Sequence, residues 1–236
     1  MGFNAALGTP GFELETALHD RLAAARRVDP QAPLTILVGS NLLGAYLRRN
    51  LAEKTGGLFN VRFETFADLA SLIAGEAEGG VGAVSPPFAD RVVVGELVAP
   101  GRISSGLAEA AGTRGFAEAL IATFSDLAEA GCTPSVSRAI LEGGVPADRV
   151  GAKAREALSL YARFRERIES LGGDIQTRFM AALSGALPRS LGKNVFVYGF
   201  YDFNEMQRRL LARLARERDV TMFMPRGEGE AYRFAA

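Results

Sequence analysis

The chain has 236 residues, 48% of them hydrophobic, and its 27 basic residues balance 27 acidic ones to give a formal net charge of zero. That length and apolar content suffice for one substantial core with an added subdomain, and they exclude a chain disordered throughout. Zero net charge removes any whole-molecule field that would draw in nucleic acid and leaves only local patches for that purpose. One cysteine, Cys132, and one histidine, His19, offer no internal disulfide, no Cys/His zinc site and no histidine-based catalysis. His19 is expected on a helix surface beside Asp20 and Arg21. No apolar run reaches the length of a bilayer, and the N-terminus lacks a basic region followed by a hydrophobic signal segment. The expectation is a cytoplasmic, reduced protein with no membrane partner.

In chain order, an apolar start through ALG reads as a strand and ends in GTPGFELE. A phosphate-binding loop has the form G-x-x-x-x-G-K-[ST], in which backbone amides and a lysine cradle phosphates and a hydroxyl holds Mg²⁺. Gly8 and Gly11 provide the loop, but Glu13, Leu14 and Glu15 occupy the last three positions. Two carboxylates there would repel a polyphosphate. The plainer reading is a glycine turn before an amphipathic helix, ELETALHDRLAAARR, whose first-turn glutamates favour the positive end of the helix dipole. LTILVGS then reads as a strand, NLLGAYLRRNLAEK as a helix, FNVRFETF as a strand and TFADLASLIAGEA as a helix. Thr65 and Asp68 form a capping box at the start of that last helix.

From about Ala74 to Leu191 the pattern changes. GEAEGGVGAVSPP reads as a flexible connector, and FADRVVVGELVAPG as a helix despite its valines. GFAEALIATFSDLAEAG, GAKAREALSLYARFRERIESLG and DIQTRFMAALSGAL are amphipathic helices punctuated by Gly and Pro. Strand, turn and helix return with KNVFVYGF and NEMQRRLLARLARER, where Asn204 and Gln207 repeat the capping device, and DVTMFMP is a fifth strand. Alternation of this kind favours parallel βαβ units. The expected fold is α/β, a P-loop-NTPase-like (RecA-like) parallel sheet flanked by helices, with a helical inserted subdomain. Its parts are residues 1–74, 75–190 and 191–236, the second being the insertion.

Arg48 and Arg49 on one helix, and Arg208, Arg209, Arg213, Arg216 and Arg218 on another, either track phosphates or form solvated faces interleaved with Glu205, Glu217 and Asp219. Tyr198, Phe200, Tyr201 and Phe203 either stack bases or fill the sheet–helix core.

ILVGSNLLGAYLRRNL resembles the superfamily 1 helicase motif in which a strand ends in Thr-Asn before a helix, Ser40 and Asn41 taking that place. VRFETFADLA resembles the next motif, a strand entering Thr-Phe, here Thr65 and Phe66, before a helix that helps hold single-stranded DNA. VFVYGFYDFNEMQRRLL resembles the strand of the Walker B motif, and in that frame GTPGFELE falls on Walker A. Tyr198 and Gly199 stand where the Mg²⁺-binding Asp and the water-orienting Glu belong, and Gly39 replaces the stacking aromatic before Thr-Asn. With its long helical segment, the whole is similar to the N-terminal part of AddB-type subunits of bacterial helicase-nuclease complexes, and distantly to RecC. In that family a C-terminal PD-(D/E)XK nuclease follows, so the chain is expected to be a fragment of a longer protein.

The resemblance implies a catalytically silent, DNA-guiding scaffold for double-strand break repair and recombination. The implied degenerate nucleotide site comprises Gly8, Gly11, Glu13, Leu14, Glu15, Tyr198 and Gly199. The implied DNA contacts are Ser40, Asn41, Thr65 and Phe66, with Arg48, Arg208 and Arg209 as weaker phosphate contacts. No cofactor or metal is expected in this chain; ATP and Mg²⁺ belong to an AddA-like partner subunit. Two alternatives stay open: a P-loop ATPase or kinase with an atypical nucleotide site, and a protein-interaction module without DNA contact.

Overall fold

The computed structural model describes residues 2–76, 84–99, 101–103, 107–111, 113, 115–144 and 148–226. Most of the connector expected over residues 75–87, and the segment after Arg226, lie outside the described residues. The chain divides into two compact units, Met1–Glu78 with Ala181–Ala236, and Gly79–Met180. The sequence boundaries had been drawn at 74/75 and 190/191.

The first unit is α/β. Its strands are β1 (Gly2–Gly8), β2 (Leu34–Val38), β3 (Val61–Glu64), β4 (Asn194–Tyr198) and β5 (Asp219–Pro225). All pairings are parallel, in the order β1-β5-β4-β2-β3. Every residue of β2 is buried, as a strand covered on both faces requires, and its LTILV sequence suits that place. The one polar side chain in it, Thr35, donates its hydroxyl to the Leu191 carbonyl at 2.9 Å.

The flanking helices are α1 (Phe12–Val28), α2 (Asn41–Thr55), α3 (Phe66–Glu76) and α10 (Glu205–Glu217). Leu14, Leu18 and Leu22 of α1 and Leu47 and Leu51 of α2 recur at three and four. They bury against Leu34, Ile36, Val38, Phe196, Tyr198 and Phe223 on one sheet face. Each such side chain contributes about 2 kcal/mol of transfer free energy. Asn4 borders a hollow beside α1 and Phe3 one beside α10. Neighbouring strand residues point to opposite faces, so α1 and α10 cover opposite sides of the sheet. The capping box expected at Asn204 and Gln207 is present at the start of α10.

The second unit is helical among its described residues: α4 (Ala89–Leu97), α5 (Ala108–Ala111), α6 (Phe116–Glu129), α7 (Pro134–Gly144), α8 (Arg149–Ser170) and the first part of α9 (Ile175–Ser184). FADRVVVGELVAPG is thus helical over α4. The sequence reading did not assign α5 or α7. Pro134 at the first position of α7, with the Thr133 hydroxyl accepting from the Val136 amide, was the available signal. It was faint because α7 buries only Ser137, whose hydroxyl bonds the Leu158 carbonyl.

Phe124 packs against Tyr161 and Phe164, with ring centroids 5.6 and 5.0 Å away. Arg165 is 4% exposed and holds Asp174 at 2.6 Å and the Thr177 hydroxyl at 3.0 Å. Burial alone would raise the Asp174 carboxyl, but the hydrogen bond and charge of Arg165 win and hold it below its ordinary value.

Two substitutions test this architecture. Gly192, at φ 73°, lies where an added Cβ would run into the Pro33 carbonyl. Gly192→Ala is expected to destabilise by roughly 2 kcal/mol or more in denaturant titrations. Asp174→Ala leaves the buried Arg165 charge with only the Glu169 carboxylate, 3.9 Å away, and is expected to lose about 3 kcal/mol, most of it recovered when Arg165→Met is added.

Candidate functional site

Because the five strands are parallel, the loops after β1, β2, β3 and β4 emerge at one end of the sheet. From β2 the chain moves outward to β3, and from β4 it moves the other way to β5. The crevice between β2 and β4 is therefore the topological switch point, where open α/β sheets take ligands. Here that crevice is shut by backbone. A Cβ on Gly39 would lie 2.7 Å from the Gly199 carbonyl oxygen, and one on Gly199 would meet the Leu43 side chain. An aromatic residue at position 39 would collide with β4, which explains physically why glycine stands there.

The loop between β1 and α1 is short and closed on itself. Gly8 ends β1 and accepts the Arg226 amide at 2.7 Å, while Gly11 caps α1 and accepts the Glu15 amide at 2.9 Å. The exposed Glu13 carboxylate turns back and accepts the Thr9 amide at 2.7 Å. That amide, together with the Thr9 hydroxyl, holds the Glu13 carboxyl below its ordinary pKa. One donor that a bound anion would use is thus already taken by a side chain of the loop's own helix. Leu14, 4% exposed, belongs to the core beneath.

The structure separates Glu15 from Glu13. Glu15 is 8% exposed and faces α2, accepting the Tyr46 hydroxyl at 2.9 Å and the Asn50 amide at 2.5 Å, with the Lys54 ammonium 3.9 Å away. It serves as a polar clamp between α1 and α2 rather than as a second charge in the loop. Tyr198 sits beside it in the core, 6.1 Å from the Phe223 ring centroid. Burial first, then the neighbouring Glu15, Tyr46 and Tyr201, pushes the Tyr198 hydroxyl up to about 12. It stays protonated and offers no charge to a metal. Among the described residues no group of three His, Cys, Asp or Glu side chains is placed to hold a metal ion, and no helix is long and apolar enough to cross a membrane.

The residues expected to touch DNA fare unequally. Ser40 caps α2, accepting the Leu43 amide at 3.2 Å. Thr65 and Asp68 form the expected reciprocal cap, with the Thr65 amide on Asp68 at 3.0 Å and the Asp68 amide on the Thr65 hydroxyl at 3.2 Å. Phe66 is covered by its neighbours. It is 2% exposed and meets Phe200 and Phe203 edge-on at 5.1 and 5.9 Å, so no base reaches its ring in this arrangement. Phe200 and Phe203 stack on each other at 5.2 Å, which leaves Tyr201 as the exposed member of that aromatic group.

Asn41 is exposed, and its side chain bonds to no described residue. Arg48 is exposed and lies over the Phe63 ring, 5.2 Å from the centroid. Arg208 and Arg209 share one carboxylate, Glu205, at 3.4 and 2.7 Å. They sit on α10, on the opposite sheet face from Arg48.

What the sequence reading missed is a set of exposed apolar side chains at the same end of the sheet, Phe12 on α1 and Leu42 and Tyr46 on α2, which join the exposed Tyr201 after β4. Leu42 and Tyr46 stand one turn apart on α2, and Tyr46 is the residue that reaches Glu15. The i,i+4 spacing was visible beforehand, but the partner helix was not. No family model and no curated protein matches the chain.

The Glu13 contact has a pH signature. A depressed carboxyl favours the bonded loop above its unfolded-state pKa and loses that preference as pH falls through the lowered folded value. The Thr9 amide resonance should therefore titrate with a midpoint below 4.5 and lose its shift in Glu13→Gln. A midpoint at or above 4.5 would show that the bond is not made.

Proposed function

We propose that this chain is a catalytically silent superfamily 1 helicase-like domain with a RecA-like sheet, guiding DNA as part of an AddB-type helicase-nuclease in double-strand break repair and recombination. The observation that carries the reading is the state of both halves of the position where a nucleotide would sit. At one half the loop amide of Thr9 is taken by Glu13. At the other, Tyr198 is buried and protonated, and Gly199 is packed against Leu43. The two strands that the resemblance casts as Walker A and Walker B, β1 and β4, are separated by β5. The side chains at the consensus positions of the two halves are Glu13, Leu14 and Tyr198, none of them cationic.

A strand of DNA makes lighter demands. Sequence-independent binding needs a cation for the backbone and faces on which bases stack. Arg48, the unbonded Asn41 amide and the exposed Tyr46 and Tyr201 rings supply these at the loop end of the sheet. Energy for translocation would come from an AddA-like partner subunit carrying ATP and Mg²⁺.

A second reading, a protein-interaction module without DNA contact, draws support from Phe3, Leu7 and Phe12, which are exposed along β1 and the start of α1. Titration decides between the two. Calorimetry with Mg²⁺·ATP is expected to show no uptake at millimolar nucleotide. Single-stranded oligonucleotide is expected to bind with an affinity that drops as salt rises and that Tyr201→Ala lowers roughly tenfold. ATP turnover by the purified chain overturns the silent-site reading; undetectable or salt-independent oligonucleotide binding overturns the DNA role in favour of the interaction module.

A further inference from the structure

The two outer strands of the sheet are finished differently. β3 is four residues long and carries Arg62 and Glu64, paired at 3.9 Å, the kind of short charged edge that resists pairing with another chain. β1 is seven residues long, GFNAALG, with neither charge nor proline, and Phe3 and Leu7 are 50% and 55% exposed. It pairs with β5 on one side, and among the described residues nothing pairs with the other. An open edge of that length presents a row of unused main-chain donors and acceptors.

A hollow on each face touches β1, at consecutive residues, the one on the α1 face running inward from Asn4 across β5 to β4. On the α10 face, Phe3, Leu211, Ala212 and Ala215 line a hollow of about 410 Å³ rimmed by Arg208 and Arg209. On the α1 face, Asn4, Thr221 and Phe196 floor a hollow of about 580 Å³ bordered by Ala25, Val28 and Arg21. Thr221 is 6% exposed, and neither its hydroxyl nor the Asn4 amide bonds to any described residue. Side chains of a strand laid along β1 would alternate between the faces with a period of two, so one enters each hollow in turn.

Charge indicates which side chains these are. Arg208 and Arg209 have a single carboxylate, Glu205, between them, so their rim keeps an excess positive charge. On the other face Arg21 has no bonded partner among the described residues, Lys193 is paired with Asp219 at 3.3 Å, and Asp29 accepts the Gln31 amide.

We propose that β1 accepts an extended acidic segment of a partner protein as a sixth strand, its acidic side chains meeting Arg208 and Arg209 over Phe3 and its alternate, hydrogen-bonding side chains meeting Asn4. The proposal does not rest on the helicase-like reading: it uses the open sheet edge, and it gives Arg208 and Arg209 a carboxylate partner in place of the phosphate contact that the resemblance implies.

The test uses the full chain and a fluorescein-labelled octapeptide alternating glutamate and threonine, with a lysine–threonine peptide as control. The acidic peptide is expected to bind, to weaken with added salt and to slow hydrogen exchange at amides within Gly2–Gly8, while the basic peptide binds at least tenfold more weakly. Phe3→Glu and the double change Arg208→Gln, Arg209→Gln should each lower affinity at least fivefold without moving the melting temperature, because Phe3 is 50% exposed and the Arg208 and Arg209 side chains are 67% and 46% exposed. Three results overturn the proposal: equal binding of both peptides, binding without added protection of the β1 amides that face away from β5, or those outward amides already protected in the free chain. In the last case light scattering identifies the occupant, a dimer meaning a second copy and a monomer meaning the chain's own polypeptide.

Discussion

The nearness of β2 and β4 where they end governs the rest of the first unit. With Gly39 under the Gly199 carbonyl, the two central strands stay locked in register up to their last residues. Leu43 then packs onto Gly199, which fixes the first turn of α2. Because the crevice is shut at this point, whatever the loop end of the sheet binds must lie on top of it. The available features are accordingly superficial: Asn41, Arg48, and the rims of the Tyr46 and Tyr201 rings. A surface of that kind suits a long flexible ligand that touches many places weakly and suits a small, deeply held one poorly.

The two glutamates of the β1–α1 loop show how one short stretch divides its labour. Residues 13 and 15 differ by about 200° around a helix, so one carboxylate returns to the loop and the other turns inward to α2. The inward one is tolerated at 8% exposure because Tyr46 and Asn50 satisfy its oxygens and Lys54 stands near. The outward one stabilises the loop by acting as the anion that the loop's own amide would otherwise seek.

Strands and helices were legible in the sequence wherever periodicity was strong. The fully apolar LTILV and the alternating helix stripes left little choice, and both capping boxes could be read at three-residue spacing before any coordinates. Tertiary partners were not legible. Phe66 was a candidate DNA contact because of its position in the Thr-Phe motif, whereas its environment is set by Phe200 and Phe203, more than a hundred residues later in the chain. The pairing of Glu15 with Tyr46 has the same character: helical spacing reports which residues share a face, and only the fold reports what that face meets. α7 escaped notice because its contribution to the core is one serine.

The order of strands also bears on how the protein is made. Synthesis delivers β1, β2 and β3 first, yet β1 touches neither of the others: Gly2 pairs with Asp219, and two of the three inner strands, β4 and β5, emerge last. While the ribosome works through Gly79–Met180, a region with a core of its own, the early strands wait without their centre. The sheet is therefore assembled from the outside inward, by contacts of very high sequence separation, a topology that slows folding and leaves apolar strands uncovered during translation.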